Sequence, residues 1–196
     1  MGKEAYSSQD LISDKDFSFK NLSPRKMKIL ELSANGDFLS EIAEKMGGLS
    51  VKTIQAHKSS ITKTSIDRMV VGSVDTENLS ELIAFSKRII TFLIIDGIIN
   101  GNIKIEPPEK ELKQLTMQET LIAELLGKGY SQTEVARQLY ISNKTVEAHT
   151  HHLKEKMCAR SITHLIARKT HLELTGEWDV LAAGRSRKYS GRSTSS

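Results

Sequence analysis

The chain has 196 residues, a net charge of +4 and one cysteine, Cys158. A lone cysteine excludes an internal disulfide and suits a reducing compartment, and the length allows one domain, or two of about 80 residues, each with a modest core. The whole net charge is matched by Arg185, Arg187, Lys188 and Arg192 in the acid-free last stretch, so the body is neutral rather than a bulk polycation.

The opening MGKEAYSSQD is polar with no apolar run behind it, so residues 1–18 are expected to be an extension rather than a secretory leader. From Leu22 the chain reads LSPRKMKILELSANGDFLSEIAEKMGGLSVKTIQAHKSSI, and from Leu115 it reads LTMQETLIAELLGKGYSQTEVARQLYISNKTVEAHTHHL. These are one pattern written twice. Leu22 and Leu115, Ile29 and Ile122, Leu32 and Leu125, Gly36 and Gly129, Glu41 and Glu134, and Ala43 and Ala136 correspond. The register then slips by one, because Gly47 and Gly48 stand against Tyr140. Beyond the slip, Ser50, Lys52, Thr53, Ala56 and His57 meet Ser142, Lys144, Thr145, Ala148 and His149.

In the first stretch, Ser23 and Pro24 form a favoured N-cap and N1 pair, and Gly36 sits where that helix ends. A short second helix and a turn at Gly47 and Gly48 follow. Ser50 then caps a third helix, in which Ile54 and Ile61 form a buried stripe while Lys52, Gln55, Lys58 and Ser59 face outward. No acidic residue occurs between Ser50 and Thr64. Residues 65–78 read as an insertion, and residues 79–96 as a fourth helix. Its uncharged centre, residues 89–95, is far too short to cross a bilayer. Ile89, Ile90, Phe92, Leu93 and Ile94 make that helix apolar all round, which fits an interface with a partner better than a solvated face.

Asn100 and Gly101 mark a turn, and residues 101–112, with Pro107, Pro108 and alternating charges, read as a semi-extended link. Fully extended, it spans at most about 40 Å at ~3.3 Å per residue, against about 34 Å between adjacent half-sites of a helix-turn-helix dimer. One chain occupying both half-sites, and two domains each pairing with its equal in another chain, are both compatible with that length.

In the second stretch, Thr116-x-x-Glu119 and Ser131-x-x-Glu134 fit capping boxes, and Gly129 ends the first helix. Ser142 caps a third helix with Val146, Leu153 and Met157 inside and Lys144, Glu147, Thr150 and His151 outside. Cys158, just past it, reads as a small buried residue. Arg185 to the end has nothing to bury and reads as a basic, disordered tail. A short second helix, a tight turn and a capped third helix are the grammar of a helix-turn-helix.

Both stretches resemble the LuxR/FixJ-type (GerE-like) helix-turn-helix of bacterial transcription regulators. In the second, the resemblance is carried by Leu115, Thr116, Glu119, Gly129, Ser131, Glu134, Val135, Ala136, Leu139, Ile141, Ser142, Thr145, Val146, His149, Leu153, Lys156 and Met157. It implies a four-helix domain whose third helix enters the major groove and whose fourth supplies a dimer contact. On matching positions, Lys144, Thr145 and His149 are then expected at phosphates, and Glu147, Ala148 and His151 at base edges. The corresponding residues of the first stretch are Lys52, Thr53, Gln55, Ala56, His57 and Ser59. There Phe38 replaces the cap serine, the extra glycine lengthens the turn, and Thr64 and Ser65 replace the closing Lys-Met of the second stretch. That stretch therefore reads either as a second DNA reader or as a packing module.

The expected architecture is all-α, with two tandem four-helix helix-turn-helix domains at residues 19–100 and 113–183 and a tail at 184–196. The expected function is sequence-specific binding of double-stranded promoter DNA by a cytoplasmic, dimeric bacterial regulator. The alternative is an interaction protein that uses its first domain to dimerise with and modulate a different regulator. No receiver or ligand-sensing domain is expected before Leu22. No phosphate-cradling loop, nucleophile elbow or catalytic carboxylate pair occurs. The spacing of His149, His151, His152, His164, His171 and Cys158 is unlike that of metal sites, so neither enzyme activity nor a cofactor or metal is expected.

Overall fold

The computed structural model describes residues 19–70 and 79–182. The N-terminal extension, residues 71–78 of the expected insertion and the basic tail lie outside them. Among the described residues every regular element is helical. They fall into two compact units, the first ending at Lys104 and the second beginning at Ile105.

The first unit opens with a single 3-10 turn, Phe19–Asn21, followed by α1 (Pro24–Ala34), α2 (Leu39–Lys45), α3 (Val51–Val70) and α4 (Leu79–Ile99). Ser23 is the N-cap of α1 but its hydroxyl makes no capping bond. Gly36, at φ 91°, ends the helix, and the Asp37 amide donates to Leu32 O at 3.1 Å. That back-bond through a left-handed glycine satisfies a carbonyl the helix leaves open. Phe38 has no side-chain acceptor, so α2 keeps only half of a capping box, the Phe38 amide donating to Glu41 Oε2 at 2.7 Å.

The core of this unit gathers Ile29, Leu32, Ile42, Ala43 and Ile54, with Leu39, Met46 and Leu49 packed around it. Helix α3 runs on to Val70 instead of stopping near Thr64. No Gly or Pro interrupts the stretch, and the hydroxyls of Thr62 and Thr64 donate to the carbonyls of Lys58 and Ser60 within the helix. Helix α4 likewise extends past Asp96. Its buried Ile89, Phe92, Leu93, Ile94 and Ile98 are covered within the unit, which leaves Ile90 and Ile95 half-buried and Ile99 exposed. Gly97 is what lets the chain double back there. A Cβ on it would lie 2.8 Å from Ile103 Cδ1 and 3.0 Å from Phe19 Cδ2.

The second unit holds α5 (Met117–Gly127), α6 (Gln132–Leu139), α7 (Asn143–Lys156), α8 (Ile162–Thr175) and α9 (Trp178–Ala182). Helix α5 packs on α7 and α8, α6 on α7, and α9 on α8. Both capping boxes form. Thr116 Oγ1 accepts from the Glu119 amide at 3.3 Å while Glu119 Oε2 accepts from the Thr116 amide at 2.7 Å, and Ser131 and Glu134 repeat the exchange at 3.3 and 2.7 Å. Gly129, at φ 82°, ends α5 as Gly36 ends α1, with the Tyr130 amide donating to Leu125 O at 3.2 Å.

Residues 101–112, expected as a link, are shared between the units. Ile103 is buried in the first, where Asn35 Nδ2 donates to Lys104 O at 2.9 Å. Ile105, Pro107, Pro108 and Leu112 wall a cleft of about 460 Å³ against Arg168, Leu172 and Leu181 in the second. There the Leu115 amide donates to Leu181 O and the Lys113 amide to Lys156 O, each at 3.0 Å.

Candidate nucleic-acid interface

Helix α7 is placed by its start. The Ser142 hydroxyl accepts from the Thr145 amide at 3.0 Å and lies 2.8 Å from Thr145 Oγ1. Ahead of it the Ile141 amide donates to Ala136 O at 3.0 Å, which ties the turn back onto α6. Tyr140 closes that turn in the left-handed region at φ 54°, with its side chain 95% exposed. An L-residue held there costs about 1–2 kcal/mol, so the turn is fixed by its surroundings and not by preference.

Val146 and Leu153 are fully buried, and Met157 joins them just beyond the helix. Burying each contributes about 1.5–3 kcal/mol, which sets the rotation of the helix. Lys144, Thr145, Glu147, Ala148 and His151 are exposed and His149 is half-buried. The N-terminal turn adds the partial positive charge of the helix dipole, which favours phosphate. When Ser142 donates to Thr145 Oγ1, the threonine hydroxyl hydrogen is left for an external acceptor. His151 Nε2 lies 3.3 Å from Glu155 Oε1 one turn further on.

Helix α3 begins the same way. Ser50 Oγ accepts from the Thr53 amide at 3.0 Å and lies 2.8 Å from Thr53 Oγ1. The Leu49 amide donates to Ala43 O at 2.9 Å, the counterpart of Ala136. The extra residue is absorbed by two successive left-handed glycines, Gly47 at φ 88° and Gly48 at φ 75°. The longer turn therefore returns to the same carbonyl before the helix restarts. Ile54 and Ile61 are fully buried. Lys52, Gln55, Ala56 and Ser59 are exposed, with Thr53 and His57 half-buried.

Two outward assignments are corrected, and they fall at one helical position. Thr150 is 2% exposed, and its Oγ1 is buried without a hydrogen-bond partner. Lys58 is half-buried, its ammonium donating to Ser33 Oγ at 3.3 Å on α1, and burial lowers its pKa from the ordinary lysine value. A residue four after a buried one lies only about 40° from it around a helix of 3.6 residues per turn, so both side chains fall on the inner stripe. Cys158 is also corrected. It is half-buried rather than fully inside and adopts φ 51°, with Sγ 3.7 Å from Lys110 O.

Two supports of α7 are tertiary. Lys156 Nζ donates to Glu119 Oε2 at 2.7 Å, the carboxylate side chain being 4% exposed. Burial is the largest influence on that carboxyl and pushes its pKa up. The Lys156 hydrogen bond, the Thr116 amide and hydroxyl, and the Lys156 charge outweigh it and hold the group below the usual glutamate value. At the other side, the buried Arg168 donates from Nη1 to Met157 O at 3.2 Å and from Nε to His164 Nε2 at 2.7 Å. The first unit has Lys26 and Thr64 where the second has Glu119 and Lys156, so it lacks the equivalent ion pair.

Among the described residues no three His, Cys, Asp or Glu side chains are grouped to hold a metal, and no helix is long and apolar enough to cross a membrane.

The profile of the bacterial regulatory proteins of the luxR family matches residues 20–64 and 113–168, together more than half of the chain. Oxygen regulatory protein NreC of Staphylococcus aureus strain MRSA252 is 30% identical over 109 residues, which are 56% of this chain and 50% of that protein. Its counterparts in strains bovine RF122 / ET3-1 and JH9 match to the same extent. The chain spans about half the length of these curated relatives. No solved structure matches it.

Proposed function

Because the chain belongs to the luxR family of bacterial regulatory proteins, we propose that it is a sequence-specific, DNA-binding transcription regulator with two tandem reading helices, α3 and α7. The observation that carries this reading is the outward face of α7. There Lys144, Thr145 and His149 supply hydrogen-bond donors around a capped helix N-terminus. Glu147, Ala148 and His151 are exposed on the side of the helix that Lys144 shares, where a groove floor would lie. Helix α3 carries the same capped start and the same Lys, Thr, Ala and His, which supports a like role for the first unit.

In this reading Lys144 and His149, with Lys52 and His57, hold the protein on phosphates and fix register, and the remaining outward side chains discriminate bases. Chains pair along α4, where Ile90, Ile95 and Ile99 retain exposed surface. The chemistry is recognition, not turnover.

The test is binding to duplex DNA by fluorescence anisotropy across a salt series. Lys144→Ala and His149→Ala should each weaken binding, and Lys144→Ala should reduce the slope of log K against log salt by about 1. Unchanged affinity and slope in both variants would remove α7 from the interface.

A further inference from the structure

The two reading helices stand on the same footing and present different chemistry. Each restarts after a serine whose hydroxyl accepts the amide of a threonine three residues on, at 3.0 Å in both. Each is preceded by an amide returned to the equivalent alanine carbonyl, Ala43 or Ala136. Each is locked in rotation by fully buried residues at matching places, Ile54 and Ile61 or Val146 and Leu153. Gln55 and Glu147 each follow the first buried residue by one position, and both are exposed.

With footing and rotation shared, the outward positions sort into two groups. Lysine (52 and 144), threonine (53 and 145), alanine (56 and 148) and histidine (57 and 149) are the same in both helices. Three of those types are donors suited to phosphate, and alanine is a bare surface. Glutamine stands against glutamate (55 and 147), serine against histidine (59 and 151), and lysine against glutamate (63 and 155). Val51 against Asn143 and Ser60 against His152 differ as well, but the pairs at 55/147 and 59/151, one helical turn apart, are the ones whose side chains can discriminate base edges.

Resting on the DNA-binding reading above, we infer that the two units read unlike half-sites, with adenine preferred opposite Gln55 and cytosine opposite Glu147. A glutamine amide donates and accepts, and so pairs with both N7 and N6–H of adenine. A carboxylate only accepts, so it suits the N4 amino group of cytosine and is repelled by the acceptor-only edge of guanine. One turn further on, Glu155 Oε1 lies 3.3 Å from His151 Nε2, both side chains being exposed. Lys63 offers Ser59 no such acceptor, so the second differing base contact is an imidazole in one unit and a short hydroxyl in the other. The natural target is a composite of two different sequences, not a perfect palindrome.

The experiment is selection of bound duplexes from a random pool by the full chain. It is repeated with Glu147→Gln/His151→Ser and with Gln55→Glu/Ser59→His. All four positions are exposed, and circular dichroism checks that the helices are retained. Wild type should enrich two unlike half-sites. Glu147→Gln/His151→Ser should convert one of them toward the other, replacing cytosine by adenine at the shared position with a change in preference of about 5- to 150-fold. The reciprocal variant should do the opposite in the other half-site. Enrichment of two identical half-sites or of one alone by wild type, or variants that bind with the wild-type preference, would overturn the inference while leaving DNA binding intact. Failure of wild type to enrich any duplex would instead remove the DNA-binding reading, and this inference with it.

Discussion

Lys156 Nζ lies 2.7 Å from Glu119 Oε2, and this contact joins the last turn of α7 to the first turn of α5. Glu119 also accepts the Thr116 amide, so one carboxylate both caps α5 and anchors the far end of α7.

Removing the lysine alone should therefore cost more than removing both partners. Lys156→Met leaves a carboxylate buried with one partner fewer and should destabilise the second unit by about 1–3 kcal/mol. Lys156→Met/Glu119→Gln should recover part of that. Trp178 is the only tryptophan and is buried in this unit, so urea unfolding followed by its fluorescence reads the effect directly.

The same carboxyl predicts an acid dependence. Its pKa is lowered in the folded state, so its stabilisation is present above the ordinary glutamate value of about 4.3 and is lost as pH falls through the folded value. In that window the Trp178 unfolding free energy of wild type should decline more steeply than that of Glu119→Gln. Parallel pH profiles would mean that the pair contributes nothing to acid sensitivity.

Much of this fold was legible because its determinants are local. Thr116 and Glu119, Ser131 and Glu134, and Ser142 and Thr145 bond three residues apart, so a sequence motif and a hydrogen bond are the same object. The pairing of Lys156 with Glu119 depends on how α5 and α7 pack, and nothing in either local sequence states it. Lys58 and Thr150 read as outward on polarity alone, although four residues after a buried one is an inner position. The continuation of α3 to Val70 was hidden by expecting the end of α7 to apply to α3.

Lys58 and Lys52 should accordingly behave differently despite lying in one helix. Lys52→Ala should reduce the salt slope of DNA binding by about 1, whereas Lys58→Met should leave it unchanged. Since the lysine pKa is lowered by burial, the charged form is penalised in the folded state at neutral pH. That penalty is relieved as pH rises through the folded value toward about 10.4. Thermal melts of the first unit should show a rise in stability with alkalinity that Lys58→Met abolishes.

The closeness of Gly97 to Ile103 and Phe19 predicts a steric defect. Gly97→Ala should destabilise the first unit by about 1–3 kcal/mol, even though alanine is the better helix former. Adding Ile103→Ala should reduce the increment, because the nearest atoms at 2.8 and 2.9 Å belong to that side chain. A double-mutant cycle measured by hydrogen exchange in α4 would show the coupling, and additive losses would count against it.

Finally, the Leu49 amide finds Ala43 just as the Ile141 amide finds Ala136, although one route is a residue longer. Where α3 starts is thus decided by a destination and not by a path length. A gap in an alignment at this spot is mechanically silent, and drift in the number of linking residues need not shift what the downstream helix displays.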